Sequence, residues 1–246
     1  MKPVQAGKEQ DHPVMKQDRN NPAAMDPVSE NFLARHGHYF RTKSLFDWCM
    51  AAAGVAMLAP FMGLIALAVR ITSRGPVFYR QLRVGFNNQP FMIYKFRSMR
   101  LDAEKDGAQW ARRNDTRVTP IGGFLRRTHL DELPQLINVL KGEMSLVGPR
   151  PERPIFVSEL SQKIEGYPLR LRVKPGITGL AQVNHKYDES LEDVKVKLGY
   201  DLRYVQSCSF WMDLKIISNT FVSLVSGRTR DVGAAVAAEV PPTEVG

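Results

Sequence analysis

The chain has 246 residues, of which 43% are hydrophobic, and carries a formal net charge of +9. This length supports one sizeable core, or one core with a membrane element, and argues against two soluble domains. The two cysteines, Cys49 and Cys208, exclude a disulfide framework and a cysteine-based metal site and indicate a reducing compartment.

The two ends of the chain lack any apolar period. Residues 1–40 are rich in Pro, Asn, Gln, Asp and Lys, which predicts a disordered cytosolic tail rather than a signal peptide. Residues 228–246 predict a flexible C-terminal tail. The ordered part is therefore expected within residues 41–227, with a membrane helix over 45–71 and a globular region over 72–227.

A membrane segment is indicated by 22 consecutive residues without a charge, from Trp48 to Val69. As one helix they would extend about 33 Å, enough to cross a hydrocarbon core of about 30 Å. Pro60 removes a backbone hydrogen bond at the middle of the run, and it pushes Ala59 away from helical angles, so a break is expected there.

Positive charge on both sides of this segment favours a re-entrant helix over a spanning one. Positive flanks prefer the cytoplasmic side, so both ends should remain there. The flanking cations are Arg35, Arg41 and Lys43 before the run and Arg70, Arg74, Arg80 and Arg83 after it.

The basic charge is concentrated in the next part of the chain. Residues 70–130 hold 13 Lys and Arg against 4 Asp and Glu, which equals the net +9 of the whole chain. Such a block suits phosphate, nucleic acid or anionic lipid, and a solvated basic face is the alternative. It begins on a predicted β-hairpin, in which PVFYRQLRVG and PFMIYKFRSM flank the polar turn FNNQ.

A pair of adjacent carboxylates, Asp131 and Glu132, stands in the stretch THLDELPQLINVLKGEMSLVGPRPE. Pro134 is tolerated only in a first helical turn, so a helix should begin near Leu130 to Glu132 and end at Gly142. Acids at a helix start are ordinary stabilisers. They could equally serve a nucleophilic site, in which cations neutralise a phosphate that a carboxylate attacks.

Candidate cations for such a site lie on both sides of the carboxylates. Arg126 and Arg127 precede them, and Arg150 follows in GPRP, where two prolines would restrict its backbone. A stiff loop is the alternative interpretation of GPRP. The Gly- and Pro-punctuated VKPGITGLAQV could hold a planar or phosphorylated ligand, but has low specificity.

Two helices are predicted near the C-terminal end from their apolar spacing. The first carries Leu191, Val194, Leu198 and Leu202, and core packing is its favoured role. The second carries Trp211, Leu214, Ile217, Phe221 and Leu224 and could instead lie in the membrane interface.

Taken together, these motifs resemble the bacterial sugar transferase family, the monotopic phosphoglycosyl transferases that act on polyprenyl phosphate. The resemblance runs from about Lys43 to Phe221. The matching blocks are KSLFDW, GPVFYRQLRVG, IYKFRSMR, LDELPQLINVLKGEMSLVGPRP, KPGITGLAQVN, YDLRYVQ and DLKII.

The resemblance implies a catalytic Asp-Glu dyad at Asp131 and Glu132, with Asp131 as nucleophile and metal-side ligand and Glu132 as base or metal-side carboxylate. It implies phosphate-handling roles for Arg126 and Arg150, a requirement for Mg²⁺, a UDP-sugar donor and an undecaprenyl phosphate acceptor. Where many members carry Gly-Arg, His185 and Lys186 stand here, so Lys186 is expected to take the basic role.

A second departure lies at the helix break, where Ala59 and Pro60 replace the family's usual Ser-Pro. The expected fold class is α+β, mainly helical, with a Pro-broken re-entrant helix, a β-hairpin and interfacial amphipathic helices. The expected location is the cytoplasmic face of the bacterial inner membrane, in contact with its lipids and without nucleic acid. A membrane-anchored basic module that binds anionic lipid or nucleic acid without catalysis remains the competing hypothesis, and the sugar and oligomeric state are left open.

Overall fold

The computed structural model describes residues 27–103, 115–185 and 190–226. The chain divides into two compact units, Met1–Gly37 and His38–Gly246. Of the first unit, residues 27–37 are described, and they are helical. The predicted N-terminal tail covers residues 1–40, of which 1–26 lie outside the described residues, whereas 27–40 are helical rather than disordered. The predicted C-terminal tail at residues 228–246 also lies outside the described residues.

Helices dominate the described chain, which confirms the mainly helical prediction. The α-helices are α1 Pro27–Thr72, α2 Pro120–Arg127, α3 Gln135–Leu140, α4 Pro154–Lys163, α5 Leu180–Asn184, α6 Leu191–Ser207 and α7 Phe210–Ser226. The strands are β1 Phe78–Val84, β2 Pro90–Phe96, β3 Ser145–Val147 and β4 Gly176–Thr178. Short 3-10 turns occupy Phe86–Asn88, Leu130–Glu132 and Tyr167–Arg172.

The predicted hairpin is confirmed: β1 and β2 pair antiparallel, from Phe78 opposite Phe96 to Val84 opposite Pro90. Its turn places Asn87 and Asn88 at φ 50° and 59°. Asparagine tolerates this left-handed backbone better than most residues, so the NN pair suits the turn.

A second, parallel pair of strands joins β3 to β4, and the sequence analysis did not predict it. Gly176 lies so close to Gly148 that a Cβ at residue 176 would overlap the backbone of residue 148. The glycines of KPGITG therefore permit close backbone packing next to GPRP.

Helix α1 contacts the domain at intervals between Lys43 and Val69. Its buried positions recur at spacings that keep them on one helix face. They are Lys43, Asp47, Ala51, Ile65 and Val69. From Lys43 to Val69 the helix rises about 39 Å. The opposite face exposes large apolar side chains, among them Leu45, Trp48, Met57, Leu64, Leu67 and Ile71.

The expected break at Ala59 and Pro60 does not end the helix, because both residues lie inside the uninterrupted α1. A proline removes a single backbone hydrogen bond. The domain contacts the helix on both sides of Pro60, at Ala51 and at Ile65 and Val69.

The start of this buried face is fixed by polar contacts to α7 and β3, and α6 in turn holds the α7 partner. Lys43 Nζ lies 2.6 Å from Asp213 Oδ2 of α7. Tyr204 of α6 donates to the other oxygen of Asp213 at 2.8 Å. Ser145 of β3 donates to Asp47 at 2.6 Å. These buried groups satisfy one another, so α1 is attached in one register.

The two predicted C-terminal helices are confirmed as α6 and α7. Val194 and Leu198 of α6 are buried in a core cluster with α4. Helix α7 instead exposes Trp211 by 76% and Phe221 by 67%. This exposed apolar face favours the interfacial interpretation of α7.

Candidate functional site

The two adjacent carboxylates lie on the 3-10 turn Leu130–Glu132 rather than within one long helix. His129 before the turn has φ 55°, and α3 begins only after Pro134. The single predicted helix is thus wrong at its start, because a tight turn and a reorientation at His129 precede the α-helical part. Leu130 and Leu133 pack against the cluster of Ile65, Val69, Phe96 and Leu125, which anchors the turn to α1 and β2.

Glu132 is held by two cations from different elements. Arg150 approaches it with both terminal nitrogens, Nη2 to Oε1 at 2.6 Å and Nη1 to Oε2 at 3.3 Å. Lys95 of β2 places its Nζ 2.7 Å from the same Oε1. The carboxylate side chain is 12% exposed, so these pairs are largely shielded from water.

The pairing determines the charge state of this group. The pKa of Glu132 lies well below its usual value, because the attraction of Arg150 and Lys95 outweighs the cost of burial. The pKa of Lys95 is lowered chiefly by burial, and that of Arg150 is raised chiefly by Glu132. Glu132 is therefore an ionised counter-ion at neutral pH.

Asp131 differs from its neighbour. Its side chain is buried, and within the described residues no hydrogen bond or ion pair engages its carboxylate. Burial raises the pKa of Asp131, and the charge of Glu132 adds to that effect, while Lys95 and Arg126 oppose it. A buried carboxylate with unfilled acceptor capacity next to cations is the arrangement expected of a reacting group.

Arg126 stands in the last turn of α2, which Thr119 caps by accepting a hydrogen bond from the Gly122 N–H. Its side chain is partly buried, and it acts on Asp131 through charge. The structure thus brings Arg126, Asp131, Glu132 and Arg150 into one site. Lys186 lies outside the described residues, and Ala59 and Pro60 belong to α1.

Lys95 is a site residue that the sequence analysis did not single out. It lies within the basic block at residues 70–130 and contacts Glu132 directly. The available signal was its place in the strand IYKF, since a lysine among buried strand residues requires a partner.

The described residues contain no group of three or more His, Cys, Asp or Glu side chains able to enclose a metal ion. Mg²⁺ is commonly held by one or two carboxylates together with substrate phosphates. Asp131 offers such a carboxylate, whereas both oxygens of Glu132 are taken by Arg150. The donor set therefore fits a Mg²⁺ ion that is held mainly through substrate.

The fold and site define a protein with one long apolar helix and a buried pair of adjacent carboxylates next to cations. A family model described as bacterial sugar transferase matches residues 38–227. The chain belongs to this family.

Several curated proteins are similar in sequence. A UDP-N-acetylgalactosamine-undecaprenyl-phosphate N-acetylgalactosaminephosphotransferase of Aeromonas hydrophila is 41% identical over 77% of this chain and 45% of its own length. A UDP-glucose:undecaprenyl-phosphate glucose-1-phosphate transferase of Escherichia coli K12 is 46% identical over 70% of this chain and 37% of its own length. The chain thus spans less than half of either relative.

A relative of similar size is the exopolysaccharide production protein PSS of Rhizobium leguminosarum bv. phaseoli. It is 40% identical over 74% of this chain and 94% of its own length.

Proposed function

We propose that this protein transfers a sugar 1-phosphate from a UDP-sugar to undecaprenyl phosphate and releases UMP. The observation that carries the proposal is Asp131, a buried carboxylate without a hydrogen-bond partner in the described chain, next to the cations that hold Glu132. The names of the relatives support the donor and acceptor classes. The product would initiate assembly of an exopolysaccharide, capsule, O-antigen or other glycoconjugate.

In the proposed first step, an Asp131 carboxylate oxygen attacks the sugar-side phosphorus of the UDP-sugar. The bond from that phosphorus to the bridging oxygen breaks, and UMP leaves with the electron pair. In the second step, a phosphate oxygen of the lipid attacks the same phosphorus, and Asp131 leaves as a free carboxylate. The covalent intermediate divides the transfer into two substitutions at one site.

The cations make this attack feasible, because a carboxylate and a diphosphate repel each other. Arg126 and Arg150 neutralise phosphate oxygens, and the Arg150 side chain remains 35% exposed despite its contact with Glu132. Lys95 lowers the cost of charge on Asp131.

Glu132 has a different role in this scheme from that of a base. A carboxylate with a depressed pKa is a weak proton acceptor, and its oxygens already accept from Arg150 and Lys95. We assign it the role of holding these two cations in place. Mg²⁺, bound through Asp131 and substrate phosphates, would offset charge on the departing UMP.

We further propose a monotopic arrangement at the cytoplasmic face of the inner membrane. The apolar α1 is long enough to cross a membrane. A spanning helix could contact an extramembrane domain only near one end, but α1 is buried against the domain at intervals from Lys43 to Val69. This side-on packing supports a helix that enters one leaflet and leaves both ends on the same side.

The transfer is tested by assaying UMP release from a panel of UDP-sugars with undecaprenyl phosphate and Mg²⁺. Asp131→Asn should abolish release, and Glu192→Gln, at an exposed position of α6, should leave it unchanged. Donor incubated with wild-type enzyme should leave a phosphosugar adduct on Asp131, detectable by mass spectrometry. Equal UMP release by Asp131→Asn would refute the proposal.

A non-catalytic anionic-ligand module is the competing function, favoured by the basic block at residues 70–130. It predicts that Asp131→Asn binds anionic vesicles as well as the wild type or better, and that neither protein releases UMP. The same two proteins therefore separate the hypotheses.

A further inference from the structure

The backbone of the loop that carries Arg150 is held by three donors, one from the 3-10 turn Tyr167–Arg172 and two from β1. Arg170 donates from Nη2 to the carbonyl oxygen of Arg150 at 2.8 Å. Arg83 donates to the carbonyl of Pro151 at 3.0 Å, and the Val84 N–H donates to the carbonyl of Glu152 at 2.9 Å. The carbonyl oxygens of three consecutive residues, 150–152, are thus all held by hydrogen bonds.

Arg170 differs from the other two donors because it is a buried charge. Its residue is 2% exposed, and Asp201 of α6, which pairs with it, is 1% exposed. Two nitrogens of Arg170, Nη2 and Nε, lie 2.7 and 2.9 Å from the same Asp201 oxygen. Nη1 donates to the Tyr167 hydroxyl at 3.2 Å. The guanidinium group of Arg170, a planar fork of N–H donors, therefore has a fixed orientation.

Fold stability does not by itself explain such a pair. Burying two opposite charges costs desolvation energy that their attraction often fails to exceed, so apolar replacements are frequently neutral or stabilising. What this pair supplies is orientation: a planar guanidinium, fixed by Asp201, directs a hydrogen atom at one specified carbonyl oxygen.

That carbonyl belongs to a residue with little remaining backbone freedom. Pro149 and Pro151 flank Arg150 and fix their own φ angles, and Pro151 also restricts the backbone of Arg150. Anchoring the Arg150 carbonyl fixes the peptide plane that follows it. The direction in which the Arg150 side chain leaves the loop toward Glu132 is then set by the backbone.

We propose that Arg170 and Asp201 are positioning residues for Arg150, acting through its carbonyl oxygen to aim the guanidinium at the donor phosphate. The inference rests on the proposed function, since it assigns a purpose to the phosphate-binding role of Arg150. It predicts that these two residues influence transfer only as long as Arg150 is present.

The test is a double-mutant cycle measured by UMP release from UDP-sugar. Arg170→Lys keeps a positive charge beside Asp201 but loses the planar fork, and Asp201→Asn keeps the shape but loses the charge. Each should lower kcat/KM by about 10- to 100-fold, the loss expected for a catalytic group displaced by about 1 Å. In an Arg150→Ala background, the same changes should alter the residual rate by less than about 3-fold.

A matched control is the exposed ion pair between Glu159 and Lys163, whose side chains are 52% and 54% exposed. Lys163→Met removes a pair of similar length, 2.6 Å, and should leave kcat/KM within about 2-fold of the wild type. Thermal unfolding of every variant, measured in the same detergent, identifies any that does not fold. The nearly isosteric Asp201→Asn is the variant on which the conclusion rests if Arg170→Lys is unfolded.

The outcomes separate the inference from the function on which it depends. Equal losses from Asp201→Asn in the presence and absence of Arg150 would overturn the positioning role, because a general structural effect is additive. Unchanged activity of folded Asp201→Asn would also overturn it. If Arg150→Ala itself released UMP at the wild-type rate, the error would lie instead in the proposed function of Arg150.

Discussion

Substitutions at the two adjacent carboxylates should change the stability of the protein in opposite directions. Glu132→Gln should lower it, and Asp131→Asn should raise it. Glu132→Gln leaves Lys95 and Arg150 without the carboxylate that both contact, at 2.7 and 2.6 Å. Removing one partner of a buried pair costs about 3 to 5 kcal/mol. Because the Arg150 side chain is 35% exposed and can regain water, we expect the lower end, about 3 kcal/mol. At about 2 to 4 °C per kcal/mol, Tm should fall by about 6 to 12 °C.

Asp131→Asn should instead raise Tm. Its pKa is raised by burial, so the ionised form is disfavoured in the folded protein, and a neutral amide removes that cost. Relief of this kind at a functional site contributes on the order of 1 kcal/mol, or about 2 to 4 °C. The stabilised variant should be inactive.

The pH dependence distinguishes the two effects. Glu132 has a depressed pKa, so its stabilisation is present above its unfolded pKa and is lost only as pH falls through the lower folded value. The penalty at Asp131 has the opposite sign and disappears as its carboxyl group is protonated. Between about pH 7.5 and about pH 4, close to the ordinary aspartate pKa, the Glu132→Gln difference should largely persist, whereas the Asp131→Asn difference should shrink.

Thermal unfolding in one detergent at both pH values measures these differences, with Glu192→Gln at an exposed position as the control. A Tm for Glu132→Gln within about 2 °C of the wild type would refute the reasoning, since about 6 °C is the smallest change that the buried pairs allow. A fall in Tm for Asp131→Asn would show that the ionised Asp131 carboxylate stabilises the folded protein rather than destabilising it.

Three further predictions address the membrane, the fold and the reaction. Single cysteines can be placed at the exposed positions Thr42 and Arg74, in a background without the native cysteines. Both should resist a membrane-impermeant label in intact cells and react after lysis. Labelling of only one of them in intact cells would support a spanning α1. Gly176→Ala should destabilise the protein by about 1 to 3 kcal/mol in chemical unfolding, because its Cβ overlaps backbone, while Gly199→Ala, with open space around it, should be neutral or stabilising. In a pH profile of kcat/KM, the acidic limb should lie above the ordinary aspartate pKa, because burial raises the pKa of Asp131; a limb below that value would contradict its role as nucleophile.

The elements that could be predicted from sequence are those with local signals. The hairpin has apolar strands on both sides of Asn87 and Asn88, and α6 and α7 follow helical spacing over 17 residues each. The β3–β4 pair gives no comparable signal, because each strand has three residues and they meet across residues 148–175. Its formation depends on close contact between glycines, which a single sequence does not reveal.

The candidate site was predictable in part for the same reason. Asp131, Glu132 and Arg150 stand in one recognisable stretch of sequence, and the structure places Glu132 against Arg150. The contribution of Lys95 depends on how the hairpin packs beside the turn, which is a tertiary property. The carbonyl contact of Arg170 depends on a partner 20 residues away, and no local pattern indicates it.

Because α1 contacts the domain along one face, the rotation of that face about the helix axis must be preserved. Each inserted residue turns the helix by about 100° and advances it by about 1.5 Å. One extra residue between Ala51 and Ile65 would therefore rotate Ile65 and Val69 away from the cluster that supports the turn of Asp131. Helix length in this segment is consequently constrained by the geometry of the candidate site.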